Sequence, residues 1–223
     1  NFGNLPWREV FTDSQLQILI EQGLANNTDL QTAILKVKEA QAALMTSRLA
    51  YAPMLALSPQ GTISSFDKSA ATKTYSLPVT ASWELDLFGK LLNAKRGSQV
   101  ALLQTKAYRQ AVQTQIISGI ANTYYTLLML DKQLEISEQT ADVMKRNVET
   151  MRAMKDAGMT NAAAVAQSEA AYAQVIASLP AIRQSIREAE NALCMLLRQA
   201  PQAIKRSTLE EQQLPTQFSV GVP

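Results

Sequence analysis

Glu84 and Asp86 stand two residues apart in this 223-residue chain, on what reads as one face of a β-strand. A carboxylate pair so placed could share acid–base work. Nothing else in the sequence completes such a site. Histidine is absent, and neither a Gly-rich phosphate loop nor a nucleophile elbow occurs. Cys194 is the single cysteine, which excludes an intrachain disulfide and any Cys/His zinc site. It reads as a small hydrophobe near a helix end. The two carboxylates read as the polar face of their strand, turned to solvent or a lumen. The expectation is therefore no enzyme, no cofactor and no metal. Lys and Arg number 21 against 19 Asp and Glu, a net charge of +2. They are scattered, with no basic block or basic–aromatic stripe, so no nucleic-acid partner is expected.

The strand that carries the pair is the clearest element. From Tyr75 the odd positions are Tyr75, Leu77, Val79, Ala81, Trp83, Leu85 and Leu87, and the even ones Ser76, Pro78, Thr80, Ser82, Glu84 and Asp86. This period of two predicts a strand with one apolar and one polar face. Pro78 cannot donate to a ladder and marks an edge or a bulge. A second, less regular strand is expected over Leu57–Asp67, joined to the first by the small, polar segment Lys68–Lys73. Two such strands are not stable as an isolated hairpin, and the sequence offers no third. Oligomer formation, a missing part of the polypeptide, or both would supply the partners.

Helices surround this segment. Thr12-Asp13-Ser14-Gln15 fits a capping box opening a short helix with Leu16, Leu19, Ile20 and Leu24. Asn26–Asp29 breaks it and caps a second helix with Leu30, Ala33, Ile34, Val37, Ala40, Ala43 and Leu44 on one face, ending near Ala52. Pro6 and Trp7 read as anchors of an extended lead-in. Lys90–Ala157 contains no proline and only Gly97 and Gly119 as weak points. As one helix it would be roughly 100 Å long. Ala157–Asn161 is the only turn signal after it, with Gly158 suited to a left-handed C-cap and Thr160 or Asn161 to the next N-cap. The returning helix carries a heptad seam: Val165, Ser168, Tyr172, Val175, Leu179, Ile182, Ile186, Ala189, Leu193 and Leu196. The outgoing seam is looser, at Ile116, Ile120, Leu127, Leu130, Leu134, Ala141, Met144, Val148 and Met151, which predicts packing on more than one side. Pro180 is expected to bend the returning helix. No apolar run is long enough for a transmembrane helix. Asn1–Asn4 does not read as a signal peptide, so an exported protein would be present here in mature or trimmed form.

The predicted fold is mainly α: a long antiparallel, coiled-coil-like helical hairpin plus a two-stranded β segment. Its division is 1–56 for the N-terminal helices, 57–88 for the strands and their loop, 89–200 for the hairpin with its turn at 157–161, and 201–223 for an irregular tail. A helical hairpin alone would suit a periplasmic coiled-coil spacer or an adaptor-type protein. The amphipathic strand discriminates against that rival, because spacers rarely carry one.

The segment Ser82-Trp83-Glu84-Leu85-Asp86-Leu87-Phe88-Gly89-Lys90 closely resembles the W-E-(L/I)-D-L-F-G-(K/R) motif of TolC-like outer-membrane efflux proteins. Trp7 with Phe11–Asp13, Ala121 with Tyr124-Tyr125 and Leu127, and Ala157-Gly158 with Val165 and Glu169-Ala170 resemble further family segments in the same order. The resemblance implies a passive exit duct in the outer membrane of a Gram-negative bacterium. Three protomers, each of two similar repeats, would close one twelve-stranded β-barrel above a helical tunnel, in contact with outer-membrane lipid. A periplasmic adaptor and an inner-membrane pump would complete the efflux machine. Family members are frequently lipoproteins. By the same resemblance Trp83, Glu84, Asp86, Phe88 and Gly89 form the family motif, and the residues from Tyr75 to Leu85 supply the lipid and lumen faces. Met154, Gly158, Met159, Thr160 and Val165 would form the periplasmic tip that meets the adaptor. Ala164 stands where the family often has an acid. The chain resembles a first repeat, with Gly221–Pro223 falling where a second would begin.

Overall fold

A computed structural model describes residues 6–65, 70 and 72–212. Residues 1–5 of the lead-in, residues 66–69 and 71, which include half of the expected loop at Lys68–Lys73, and residues 213–223 of the tail lie outside the described residues. The elements are α1 (Trp7–Val10), α2 (Ser14–Asn26), α3 (Thr28–Leu49), β1 (Met54–Leu57), β2 (Gln60–Ser64), β3 (Thr72–Ser76), β4 (Val79–Ser82), α4 (Lys90–Asp156) and α5 (Ala162–Leu197). The fold is mainly helical, as expected. Two compact units divide the chain, Thr32–Ala111 and the remainder, Asn1–Gln31 with Val112–Pro223.

The remainder is organised by the helical hairpin. α4 runs through Gly97 and Gly119 without interruption for 67 residues. Gly158, at φ +72°, ends it: Met159 N–H donates to the Met154 carbonyl at 2.8 Å and Gly158 N–H to the Lys155 carbonyl at 2.9 Å. That pair of bonds is the Schellman motif, which satisfies carbonyls the helix end would leave bare. Asn161 then caps α5, its Oδ1 accepting from Ala164 N–H at 3.0 Å. Arg152–Glu169 at 2.7 Å and Arg183–Glu138 at 2.8 Å join the two arms. Both pairs are centred on Thr160–Asn161, so the arms return in register. Every residue of both expected seams is buried or half-buried. α5 continues through Pro180.

Packing on a second side of α4 is also present. Tyr124, Leu127 and Leu128 are almost wholly buried, as are Leu16 and Ile20 of α2 and Leu193, Cys194 and Leu197 of α5. A Cβ added to Gly23 of α2 would lie 2.3 Å from Ile120 Cδ1 and 3.5 Å from Leu197 Cδ2, so a larger residue here would require the end of the Ile120 side chain to shift. The N-cap of α2 differs from expectation. Asp13, not Thr12, is the cap, its carboxylate accepting from Gln15 N–H and Leu16 N–H. The carboxylate is the stronger acceptor for helix-end donors.

In the Thr32–Ala111 unit, α3 lies antiparallel to the first part of α4. Ser47 Oγ and Ser98 Oγ are 2.7 Å apart, and Lys36 Nζ lies 5.3 Å from the Tyr108 ring. Helix α3 ends at Leu49, short of the expected Ala52. The residue before Pro53 cannot hold helical backbone comfortably, and the chain leaves the helix a turn earlier.

Candidate functional site

The β segment begins at Met54 rather than Leu57, and the two expected strands are four short ones. β1 pairs with β4 and β2 with β3, both antiparallel. Met54 faces Ser82 and Leu57 faces Val79 in one ladder, Gln60 faces Ser76 and Ser64 faces Thr72 in the other. One register runs through both ladders, so this is a single hairpin interrupted where Ser58-Pro59 meets Leu77-Pro78. Each proline lacks an N–H, which removes ladder bonds from both strands at the same level. Ser58 N–H still donates to the Pro78 carbonyl at 3.2 Å. The interruption keeps register, and no bulge is inserted.

That register sorts the side chains. Facing residues in an antiparallel ladder share a face. Leu55, Leu57, Ile63, Tyr75, Val79 and Ala81 therefore stand on one side, with Lys73 only at the loop end. Thr62, Thr74, Ser76, Thr80 and Ser82 lie on the other side, with Gln60, Met54 and Ala56. The Tyr75 ring covers Gly61, at 3.3 Å from where a Cβ would sit. Both faces are exposed along all four strands, and on the apolar one Tyr75 is 76% and Val79 69% accessible. Met54–Ser64 contains no charge and matches the ~9–11 residues a tilted barrel strand needs to cross a bilayer.

Trp83 and Leu85 fall outside the ladder, which ends at Ser82, although the alternation of residue types continues. Residues 83–89 turn the chain from strand to helix instead. Trp83 Nε1 donates to the Tyr51 carbonyl at 3.1 Å. Asp86 Oδ2 accepts from Leu92 N–H at 2.8 Å, capping α4. Glu84 Oε1 accepts from Lys90 Nζ at 2.7 Å. Gly89 takes φ +75°. Phe88 is 96% exposed. Each of these polar side chains thus has a structural use, and the two carboxylates are spent on separate partners rather than poised together. At the tip, Met159 is 72% exposed and Gly158 is exposed, while Met154 and Thr160 are half-buried. Val165 is buried in the seam and does not contribute to the tip surface.

A polar cluster missed from sequence sits elsewhere, against α2 and α4. Tyr124 donates to Asp13 Oδ2 at 2.6 Å and accepts from Ser207 N–H at 3.1 Å. Ser207 Oγ and Gln212 Nε2 also reach the Asp13 carboxylate. Arg206 bridges Asp131, at 2.8 Å, and Glu190, at 2.6 Å. Burial alone would raise the Asp13 pKa, but hydrogen bonds from Tyr124, Gln212, Gln15 N–H and Ser207 together hold it below 3.8. Burial and the bond to Asp13 push Tyr124 up to about 12. The cluster ties residues 206–212 down. Only its partners' large sequence separation hid it.

The chain thus carries a long helical hairpin and an exposed, two-faced β-hairpin. The chain belongs to the outer membrane efflux protein family, whose pattern it matches over residues 19–197. The cation efflux system protein CusC of Escherichia coli O157:H7 is 30% identical over 226 residues, covering 98% of this chain and 49% of the relative. The toluene efflux pump outer membrane protein TtgC of Pseudomonas putida is 26% identical, covering 86% and 41%. Crystal structures of CusC superpose with a TM-score of 0.84 at 28% identity, over 99% of this chain and 51% of that one. The outer membrane protein VceC of Vibrio cholerae does so with a TM-score of 0.79 at 26% identity, over 87% and 49%. The chain spans about half the length of the curated relatives it matches. Family membership places it among proteins of the outer membrane.

Proposed function

We propose that this chain is one repeat of a passive exit duct in the outer membrane, serving a tripartite efflux system. The observation that carries this reading is the β-hairpin, whose single register separates an apolar from a hydroxyl-rich face while both remain uncovered. Barrel strands alternate in this way between lipid and a watery lumen. Two strands from each of two repeats, in three copies, would close twelve. The duct performs no chemistry, and cargo choice lies with the pump. The relatives' names, which include cation, toluene, antibiotic and pyoverdine export, fit a duct that does not itself select. Val79→Arg or Leu77→Arg should hinder membrane assembly by a depth-dependent ~2–4 kcal/mol, measured as the folded trimer recovered in the outer membrane. Thr80→Arg or Ser76→Arg should be mild, and equal losses on both faces would overturn the assignment.

The hairpin tip is the proposed adaptor contact. Its support is the exposure of Met159, a flexible apolar side chain at a bend. Met159→Glu should abolish export while trimer assembly in the outer membrane is unchanged. Retained export would reduce the tip to a turn.

A further inference from the structure

The charges are not evenly distributed along the chain. Thr32–Ala111 holds ten Lys/Arg and four Asp/Glu, a net of +6, against eleven and fifteen, a net of −4, in the remainder. After Asp86 the next acid is Asp131, while Lys90, Lys95, Arg96, Lys106 and Arg109 intervene. Within this unit the contacts fix one level of the molecule. Trp83 bonds the Tyr51 carbonyl at 3.1 Å, Lys95 Nζ lies 5.9 Å from the Tyr51 ring, and Ser47 meets Ser98 at 2.7 Å. Arg48, Lys90, Lys95 and Arg96 therefore gather where the strands end and the helices begin. Of the two acids at that level, Glu84 is engaged by Lys90 and Asp86 Oδ2 by the backbone of Leu92, while Asp86 Oδ1 is buried without a hydrogen-bond partner and so is not open to these cations. Arg48, Lys95 and Arg96 form no ion pair among the described residues. Beside them, Trp83, Leu87 and Phe88 are 62%, 79% and 96% exposed.

Unpaired cations next to exposed aromatic and aliphatic side chains match the chemistry of a bilayer surface, where anionic headgroups lie against acyl chains. We propose that this strand-to-helix junction is a docking surface for the anionic phospholipid headgroups of the leaflet through which the hairpin leaves the membrane. The proposal rests on reading the hairpin as a barrel segment. It assigns Arg48, Lys95 and Arg96 to headgroup phosphates and Trp83, Leu87 and Phe88 to the acyl boundary. The charge complementarity favours lipid over a second copy of the chain, whose junction would carry the same positive charge.

The test uses Trp83 emission in a Trp7→Phe background, which leaves one tryptophan of two. Vesicles of phosphatidylcholine alone are compared with vesicles containing phosphatidylglycerol. A blue shift is expected with both, at much lower lipid concentration when phosphatidylglycerol is present, and the difference should shrink with added salt. The triple variant Arg48→Gln, Lys95→Gln, Arg96→Gln should lose roughly fivefold per charge, on the order of a hundredfold of that preference. Lys36→Gln, Lys106→Gln, Arg109→Gln, with the same charge removed from the same helices, should stay near the parent value. Unchanged helical circular dichroism shows that the variants fold. Equal binding to both vesicles would overturn the headgroup assignment and leave the bilayer reading standing. No shift on either would overturn both. Equal losses in the two triple variants would show mere attraction of net charge, and a shift that follows protein concentration without vesicles would show self-association. Either result sinks the proposal.

Discussion

Asp13 has the most partners of any single side chain described above. It caps α2 and at the same time accepts from Tyr124, Ser207 and Gln212. These bonds lower its pKa from 3.8, so the folded chain holds the proton less tightly than the unfolded one. Its contribution to stability is therefore fully present above the unfolded value and is lost as pH falls through the folded one. Thermal unfolding followed below pH 4 should show this loss, and Asp13→Asn should flatten the acid limb. At neutral pH, Tyr124→Phe should cost about 1–3 kcal/mol, since it removes one of two donors to Asp13 Oδ2 and leaves the Ser207 N–H without its acceptor. A variant as stable as the parent in urea would show that the cluster is incidental. In the sequence, Tyr124 belongs to an A-x-x-Y-Y-x-L pattern and Asp13 to a cap. Nothing there joins them, because 111 residues separate the two and no local period encodes such a contact.

At the scale of elements, legibility follows periodicity. The seam of α5 repeats in steps of three and four, that of α4 does so with two positions skipped, and all of their residues are buried or half-buried. Gly158 and Asn161 carry turn chemistry that admits few alternatives. The strand ends sooner than its pattern predicts, because residue alternation from Trp83 to Leu87 outlasts the hydrogen-bond ladder. There Asp86 and Gly89 impose a helix start that wins over the period of two. Pro78 is legible as an interruption, but its lying opposite the Ser58-Pro59 step is not, since register is a property of two strands together. Glycines give an opposed pair of predictions for these elements. Gly158→Ala places a Cβ at φ +72° and should destabilise by about 1 kcal/mol. Gly97→Ala sits mid-helix with no neighbouring atom within 4 Å and should stabilise by about 0.5–1 kcal/mol. Denaturant midpoints of the two variants check the signs, and shifts in the same direction would contradict the backbone argument.

For the molecule as a whole, the central claim is that the hairpin separates lipid from water. The exposure of both its faces is what an isolated hairpin shows before neighbouring strands and a bilayer cover it. No described helix is long and apolar enough to cross a membrane. The net charge of the Thr32–Ala111 unit is invisible in the chain total of +2, since the acidic remainder cancels it. The direct measurement is accessibility along the hairpin in the outer membrane of intact cells. Single cysteines are introduced at successive positions from Tyr75 to Ser82 after Cys194, the only native cysteine, has been replaced by alanine. Tyr75→Cys, Val79→Cys and Ala81→Cys, carrying a fluorophore, should be quenched by nitroxide lipids and should resist a water-soluble thiol reagent. Ser76→Cys, Thr80→Cys and Ser82→Cys should react with that reagent and escape quenching. A strict alternation is the result this account predicts; labelling that does not alternate, or that reaches both faces equally, would contradict it.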